Sequence, residues 1–206
     1  MTSFAEAADA IIAAGNRLDQ RGLAPATAGN YSMRLADGTL AVTVSGAHKG
    51  RLAPAQIMRV DARGAPLDAK KPSAETLLHC LIYELDPSAG AILHTHSIAG
   101  VVLSRKLAEA DAIVLSGYEL LKVYPGIDTH AVDVAMPLVE NSQDMTALAE
   151  ELRTLLAAQP ALLPAFYIRG HGLYAWGPTM AAAEAVAEGS EYLLACEWEA
   201  AKAQGA

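Results

Sequence analysis

The stretch Ala91-Ile92-Leu93-His94-Thr95-His96-Ser97 constrains this chain more than any other. Three apolar residues run straight into two histidines one residue apart, where a buried strand would ordinarily carry Val or Ile. In an extended strand, side chains alternate faces, so His94 and His96 project together and Thr95 points the other way. Two residue rises put their Cα atoms about 6–7 Å apart, within reach of one ion for both imidazoles. The pattern asks for a buried strand that ends at a polar site. The competing reading is a pair of hydrogen-bonded histidines at a strand end.

A metal site of this kind needs a third protein ligand and an open position for catalysis. The other histidines are His48, His79, His130 and His171. His171 is the best candidate, because Gly170 and Gly172 flank it and permit the backbone that turns a side chain out of a strand break. A surface turn histidine is the alternative. Glu75 falls in the first turn of the helix before the histidine strand, as a helix-end charge or an acid/base. His79, one turn later on the same face, is a fourth ligand or a core histidine. Glu119, in Ser116-Gly117-Tyr118-Glu119, reads by itself as a solvated surface charge in a turn. Three segments, 27–32, 44–51 and 70–75, place small residues and hydroxyls at the ends of regular elements, where free backbone N–H groups hold phosphate. Lys49, Arg51 and Lys71 add charge to two of them, or serve only solubility.

The order of elements narrows the fold. A helix over 3–21 starts with a Ser3/Glu6 capping box and closes at Gly22. A hairpin over 31–46 turns at Ala36-Asp37-Gly38-Thr39, where Asp-Gly supplies the positive-φ positions. A helical turn follows at Pro54, then a strand and turn over 57–64. A helix over 73–85, capped by Ser73 and stopped by Pro87, leads into the strand at 91–95. A short helix spans 98–105, and a strand-and-turn region ends at 128–137. A helix over 142–158, two strands within 165–177 hinged at Gly170-His171-Gly172, and a helix over 178–203 complete the chain. The regular β-α-β-α alternation of a doubly wound fold is missing, so an α/β sandwich with a mixed or antiparallel sheet is expected.

Composition bounds the rest. A length of 206 residues suits one domain, 1–206. With 52% hydrophobic and 18% charged residues, apolar material exceeds the needs of a core and is available for subunit contacts. A net charge of −8 without a basic run argues against nucleic acid, while local donors can still serve a small anion. Only Cys80 and Cys196 are present, which suits a reducing compartment. The N-terminal segment lacks a basic start and carries Glu6 and Asp9, unlike a signal peptide. No run approaches the roughly 18 apolar residues of a membrane span. A cytoplasmic protein is expected.

Taken in order, Gly29-Asn30, Ser45-Gly46, Pro72-Ser73-Ala74-Glu75, His94-Thr95-His96 and Gly170-His171-Gly172-Leu173 resemble the class II (zinc-dependent) aldolase and epimerase superfamily over nearly the whole chain. The stretches at 94–97, 117–122, 136–145 and 169–177 bring the resemblance closest to its sugar-phosphate dehydratases. The resemblance implies that His94, His96 and His171 bind one Zn2+ per subunit and that Glu119 is the catalytic acid/base. Glu75 aligns with a glutamate that aldolases use as acid/base or as an extra ligand. Phosphate contacts carry over to Gly29, Asn30, Ser45, Gly46 and Ser73. Ala74 stands where aldolases have a second serine, so one hydroxyl contact is missing. The implied fold is a single-domain α/β/α sandwich around a central, mainly antiparallel sheet. The implied assembly is a homotetramer with sites at subunit interfaces. The implied activity is dehydration of a ketose 1-phosphate with a methylthio tail; the alternatives are a sugar-phosphate aldolase or 4-epimerase, and a non-catalytic module like the adducin head.

Overall fold

A computed structural model describes residues 2–159 and 161–205. In chain order its elements are α1 Phe4–Gln20, β1 Asn30–Arg34, β2 Leu40–Thr43, β3 Ile57–Val60, α2 Thr76–Leu85, β4 Ala91–Thr95 and α3 Ile98–Lys106. There follow β5 Ala112–Ser116, β6 Asp133–Val139, α4 Met145–Ala157, β7 Ala165–Ile168, β8 Gly172–Gly177 and α5 Met180–Ala203. The strands form one eight-stranded sheet in the order β3-β2-β1-β4-β8-β7-β6-β5. Every neighbouring pair is antiparallel except β6 with β7. The expected mainly antiparallel sheet is therefore present.

Alternation along β4 decides what each residue faces. Ala91 and Leu93 pack with α1, α3 and α5 on one side of the sheet, while Ile92 packs with α2 and α4 on the other. The sheet is covered on both faces, which is why β4 is buried at all five positions and reads as a continuous apolar run until His94. Register then builds a row across the sheet. Asn30 of β1 lies opposite His94, Tyr174 of β8 lies opposite His94 on its other side, and Phe166 of β7 lies opposite Tyr174. The His94 and Tyr174 rings stack at 4.1 Å between centroids, and Tyr174 stacks on Phe166 at 4.8 Å. These contacts fix the imidazole of His94 against a rigid aromatic floor.

Local signals act mostly as expected, with three differences. The Ser3/Glu6 capping box opens α1: Ser3 N–H donates to Glu6 Oε2 at 2.8 Å, and Glu6 N–H donates to Ser3 Oγ at 3.3 Å. In the β1–β2 turn only Gly38 takes positive φ, at 82°; Asp37 instead accepts the Thr39 N–H at 3.0 Å through its carboxylate. Helix α2 begins at Thr76, three residues later than Ser73 implied. Ser73 Oγ accepts the Glu75 N–H at 3.3 Å inside a preceding turn, and Glu75 is the N-cap. The carboxylate of Glu75 thus stands at the mouth of α2 rather than along its side. Helix α4 begins at Met145 because Asp144 is the cap that accepts the Thr146 and Ala147 N–H groups, at 3.1 and 3.0 Å.

The layer of α2 and α4 is a packing layer remote from the histidines at Leu152, which is fully buried. Leu152→Ala is expected to lower unfolding free energy by about 2–5 kcal/mol with an unchanged denaturant slope, as read from urea titration.

Candidate metal centre and its flanking clefts

Three histidines from two separate parts of the chain meet at the exit of β4. One ring nitrogen from each of His94, His96 and His171 lies within 4.8 Å of the others. His94 Nε2 and His171 Nε2 are 3.4 Å apart. Two nitrogens each about 2.0–2.1 Å from a tetrahedral ion stand at very nearly this separation. His94 Nδ1 donates to the Leu173 carbonyl at 2.9 Å, which assigns the Nε2 lone pair to the centre of the triad. Burial holds the His94 ring well below the ordinary histidine pKa, and burial followed by the neighbouring His171 takes His96 down to about 4. Neutral imidazoles are the form that binds metal. The donor set fits a divalent cation.

The glycines around the triad act for different reasons. Gly170 has φ +65°, a left-handed turn position that lets His171 point back to β4. Gly172 is needed for closeness: a Cβ there would sit 2.3 Å from the Thr95 carbonyl and 2.8 Å from His94 Cε1. Gly29 combines both, with φ +81° and a Cβ position 2.7 Å from the His94 carbonyl oxygen. Behind the strand, Thr95 Oγ1 donates to Glu191 Oε1 of α5 at 2.5 Å, tying the residue between the two histidines to the opposite layer.

Glu75 comes to the triad from the mouth of α2. Its Oε1 lies 3.1 Å from His171 Nε2, and its Oε2 lies 3.7 Å from His94 Nε2 and 2.5 Å from Asn30 Nδ2. Burial alone would raise this carboxyl; contact with His171, the proximity of the His94 ring and the Asn30 amide outweigh it and hold the pKa at about 2. Asn30, which the family pattern assigned to phosphate, spends its side chain between Glu75 and His79.

A cleft of about 460 Å³ opens beside the triad, and Gly29, Asn30, Ser45, Gly46, Ser73 and Glu75 all line it. Lys49 lines it too, although only 2% of the residue is exposed. Its ammonium donates to the carbonyls of Thr27 at 2.7 Å and Ala47 at 2.5 Å, leaving one of three donors. Burial lowers its pKa to about 8, against the charge of Glu75. Arg51 and Lys71, named with it from sequence, are exposed and do not line the cleft. A second, more apolar cleft of about 530 Å³ lies against His96 and His171, lined by Pro25, Ile98, Val101 and Val102 among others.

Glu119 is not brought to the triad within one chain. It begins the 3-10 turn Glu119–Val123 after β5, the outermost strand and the third beyond β8, and the strand registers put that end of β5 at the edge of the sheet opposite to the exit of β4. Its side chain is 71% exposed and pairs with Lys122 and with His130. His48 caps a short 3-10 turn by accepting the Gly50 N–H at 3.2 Å.

Comparison with known proteins agrees with this geometry. The model of the class II aldolase and adducin N-terminal domain family matches residues 9–198. The chain is 50% identical over 200 residues to the methylthioribulose-1-phosphate dehydratase of Gluconacetobacter diazotrophicus, covering 97% of this chain and 96% of that one. It is 52% identical over 198 residues to the protein of the same name from Granulibacter bethesdensis, covering 94% and 91%. Among solved structures, an L-fuculose 1-phosphate aldolase superposes with a TM-score of 0.79 at 21% identity, covering 100% of this chain and 90% of that one, which shows a shared fold. The chain belongs to the class II aldolase and adducin N-terminal domain family.

Proposed function

We propose that residues 1–206 form one domain of a hydro-lyase that dehydrates 5-methylthioribulose 1-phosphate to 2,3-diketo-5-methylthiopentyl 1-phosphate, a step of methionine salvage. The observation that carries this reading is the placement of the triad between two clefts of opposite character, in a chain about half identical to relatives bearing that enzyme's name. A phosphate at one end of the substrate and a methylthio group at the other call for such a pair.

His94, His96 and His171 would hold zinc, one ion per subunit, which would supply Lewis-acid polarisation of the C2 carbonyl. The backbone N–H groups at Gly29 and Gly46 and the hydroxyls of Ser45 and Ser73, with the buried ammonium of Lys49, hold the phosphate. Ile98, Val101 and Val102 receive the methylthio tail and shed water from it. Glu119 removes the C3 proton and returns it to the departing C4 hydroxyl, which leaves as water. The enol that remains becomes the diketone when a proton passes from the C3 hydroxyl oxygen to C4. Glu75 is the nearest base to the triad for that transfer and stays ionised across the neutral range.

Glu119 reaches this chemistry from a neighbouring copy, because its exposed position in the turn after the outer strand, at the opposite end of the sheet, keeps it from its own triad. Exposed apolar side chains at Ile98, Val102, Val114 and Tyr192 suit a homotetramer with sites between subunits. The two free cysteines fit a cytoplasmic location, and no described helix is long and apolar enough to cross a membrane.

Two outcomes are expected. Gly172→Ala, by pushing the His94 ring, lowers zinc affinity by about tenfold or more in chelator competition; unchanged affinity contradicts the tight approach. Glu119→Gln and His94→Ala are each inactive in diketone formation, and their co-expressed mixture recovers about a quarter of wild-type activity, since one site in four then has both intact residues. An inactive mixture would place Glu119 at its own chain's site. Aldehyde release without diketone would make the protein an aldolase instead.

A further inference from the structure

Beneath Glu75 runs a series of polar side chains that the proposed chemistry does not use. Asn30 Nδ2 meets Glu75 Oε2 at 2.5 Å, and Asn30 Oδ1 meets His79 Nε2 at 2.5 Å. His79 Nδ1 meets Ser32 Oγ at 2.7 Å, and Ser32 Oγ meets the Tyr83 hydroxyl at 3.0 Å. Asn30, Ser32, His79 and Tyr83 are all buried, in a region closed to water by β1 and α2. A buried polar series must satisfy every member, and here each bond determines the direction of the next.

The carboxylate can only accept, so the amide group of Asn30 must be the atom that faces it. Asn30 then presents its carbonyl oxygen to His79, and a carbonyl also only accepts. His79 must therefore carry its proton on Nε2, and its Nδ1 is an acceptor. Ser32 donates its only hydroxyl proton to that Nδ1, and Tyr83 donates to Ser32. Donation runs one way, from Tyr83 through Ser32, His79 and Asn30 to Glu75. Burial favours this neutral ring, taking His79 down to about 4.

We infer that His79 is a positioning residue: through Asn30 it locks the donor side of the amide toward Glu75 and so holds that carboxylate in one orientation at the triad. Without the Nε2–H, nothing prevents Asn30 from turning its oxygen to Glu75, where two acceptors repel. The placement accounts for a histidine in the core at i+4 from Glu75, behind the cleft lining and not part of it. The catalytic part of the claim rests on the dehydratase reading; the hydrogen-bond direction does not.

Two measurements test it. Long-range nitrogen–proton NMR of the metal-free protein should show His79 protonated on Nε2 and bare on Nδ1 at neutral pH. A ring protonated on Nδ1 overturns the inference whatever the enzyme does. In zinc-loaded enzyme, His79→Leu should lower kcat about tenfold with KM and bound zinc within twofold, and His79→Gln, which keeps a donor, should recover most of it. In an Asn30→Ala background, His79→Leu should cost less than twofold more, because the connection to Glu75 is already cut. Equal losses in both backgrounds, or no rescue by Gln, mean a packing role and overturn the inference. Should the wild-type protein leave methylthioribulose 1-phosphate unchanged, the dehydratase reading fails while the NMR result still decides the direction of the bonds.

Discussion

The register of β1, β4 and β8 is the constraint on which the site depends. It puts Asn30, His94 and Tyr174 in one row on the α2 side of the sheet, with Phe166 behind. A slip of one residue in either pairing would turn His94 into the α1–α3–α5 layer and Leu93 into the site. Ladder hydrogen bonds, aromatic stacking on His94 and the Thr95–Glu191 bond hold the register from both faces. The third histidine needs only a short loop, because β8 is already the neighbour of β4 and its first residue follows His171 directly.

Electrostatics at the site are set by burial more than by net charge. The chain carries −8 overall, yet the side chains meeting at the polar cleft beside the triad include one buried ammonium and one carboxylate. Lys49 and Glu75 oppose each other there, and burial lowers the pKa of His94 and His96. The proposed phosphate site would therefore rely mainly on backbone N–H groups at positions such as Gly29 and Gly46, where φ is +81° and +75° and side chains are absent. A divalent cation at the triad would balance Glu75 and relieve the crowding of three nitrogens.

What was legible in the sequence follows the range of the interaction. His94 and His96 share a face through period-two alternation, a local property, and the flanking glycines of His171 are local too. Helix ends were read to within about three residues: Ser73 spends its hydroxyl on the Glu75 N–H in a turn before α2, and Asp144 caps α4 two residues beyond position 142. Long-range facts were hidden. Nothing local indicates that Lys49 is buried, that Glu191 reaches Thr95, or that Asn30 meets Glu75 and His79 across 45 and 49 residues. The family pattern indicated Asn30 by position but not its side-chain partners. Glu119 illustrates a further limit: the role proposed for it depends on a second copy of the chain, which neither local periodicity nor one protomer carries.

The central claim is that three histidines at the exit of β4 make this fold a metal-dependent dehydratase. The direct measurement is diketone formation from 5-methylthioribulose 1-phosphate by chelator-stripped protein, before and after one equivalent of zinc per subunit. The account predicts negligible turnover before addition and full turnover saturating at one equivalent. Undiminished turnover by metal-free protein, or a zinc-loaded protein that leaves the substrate intact, would contradict it.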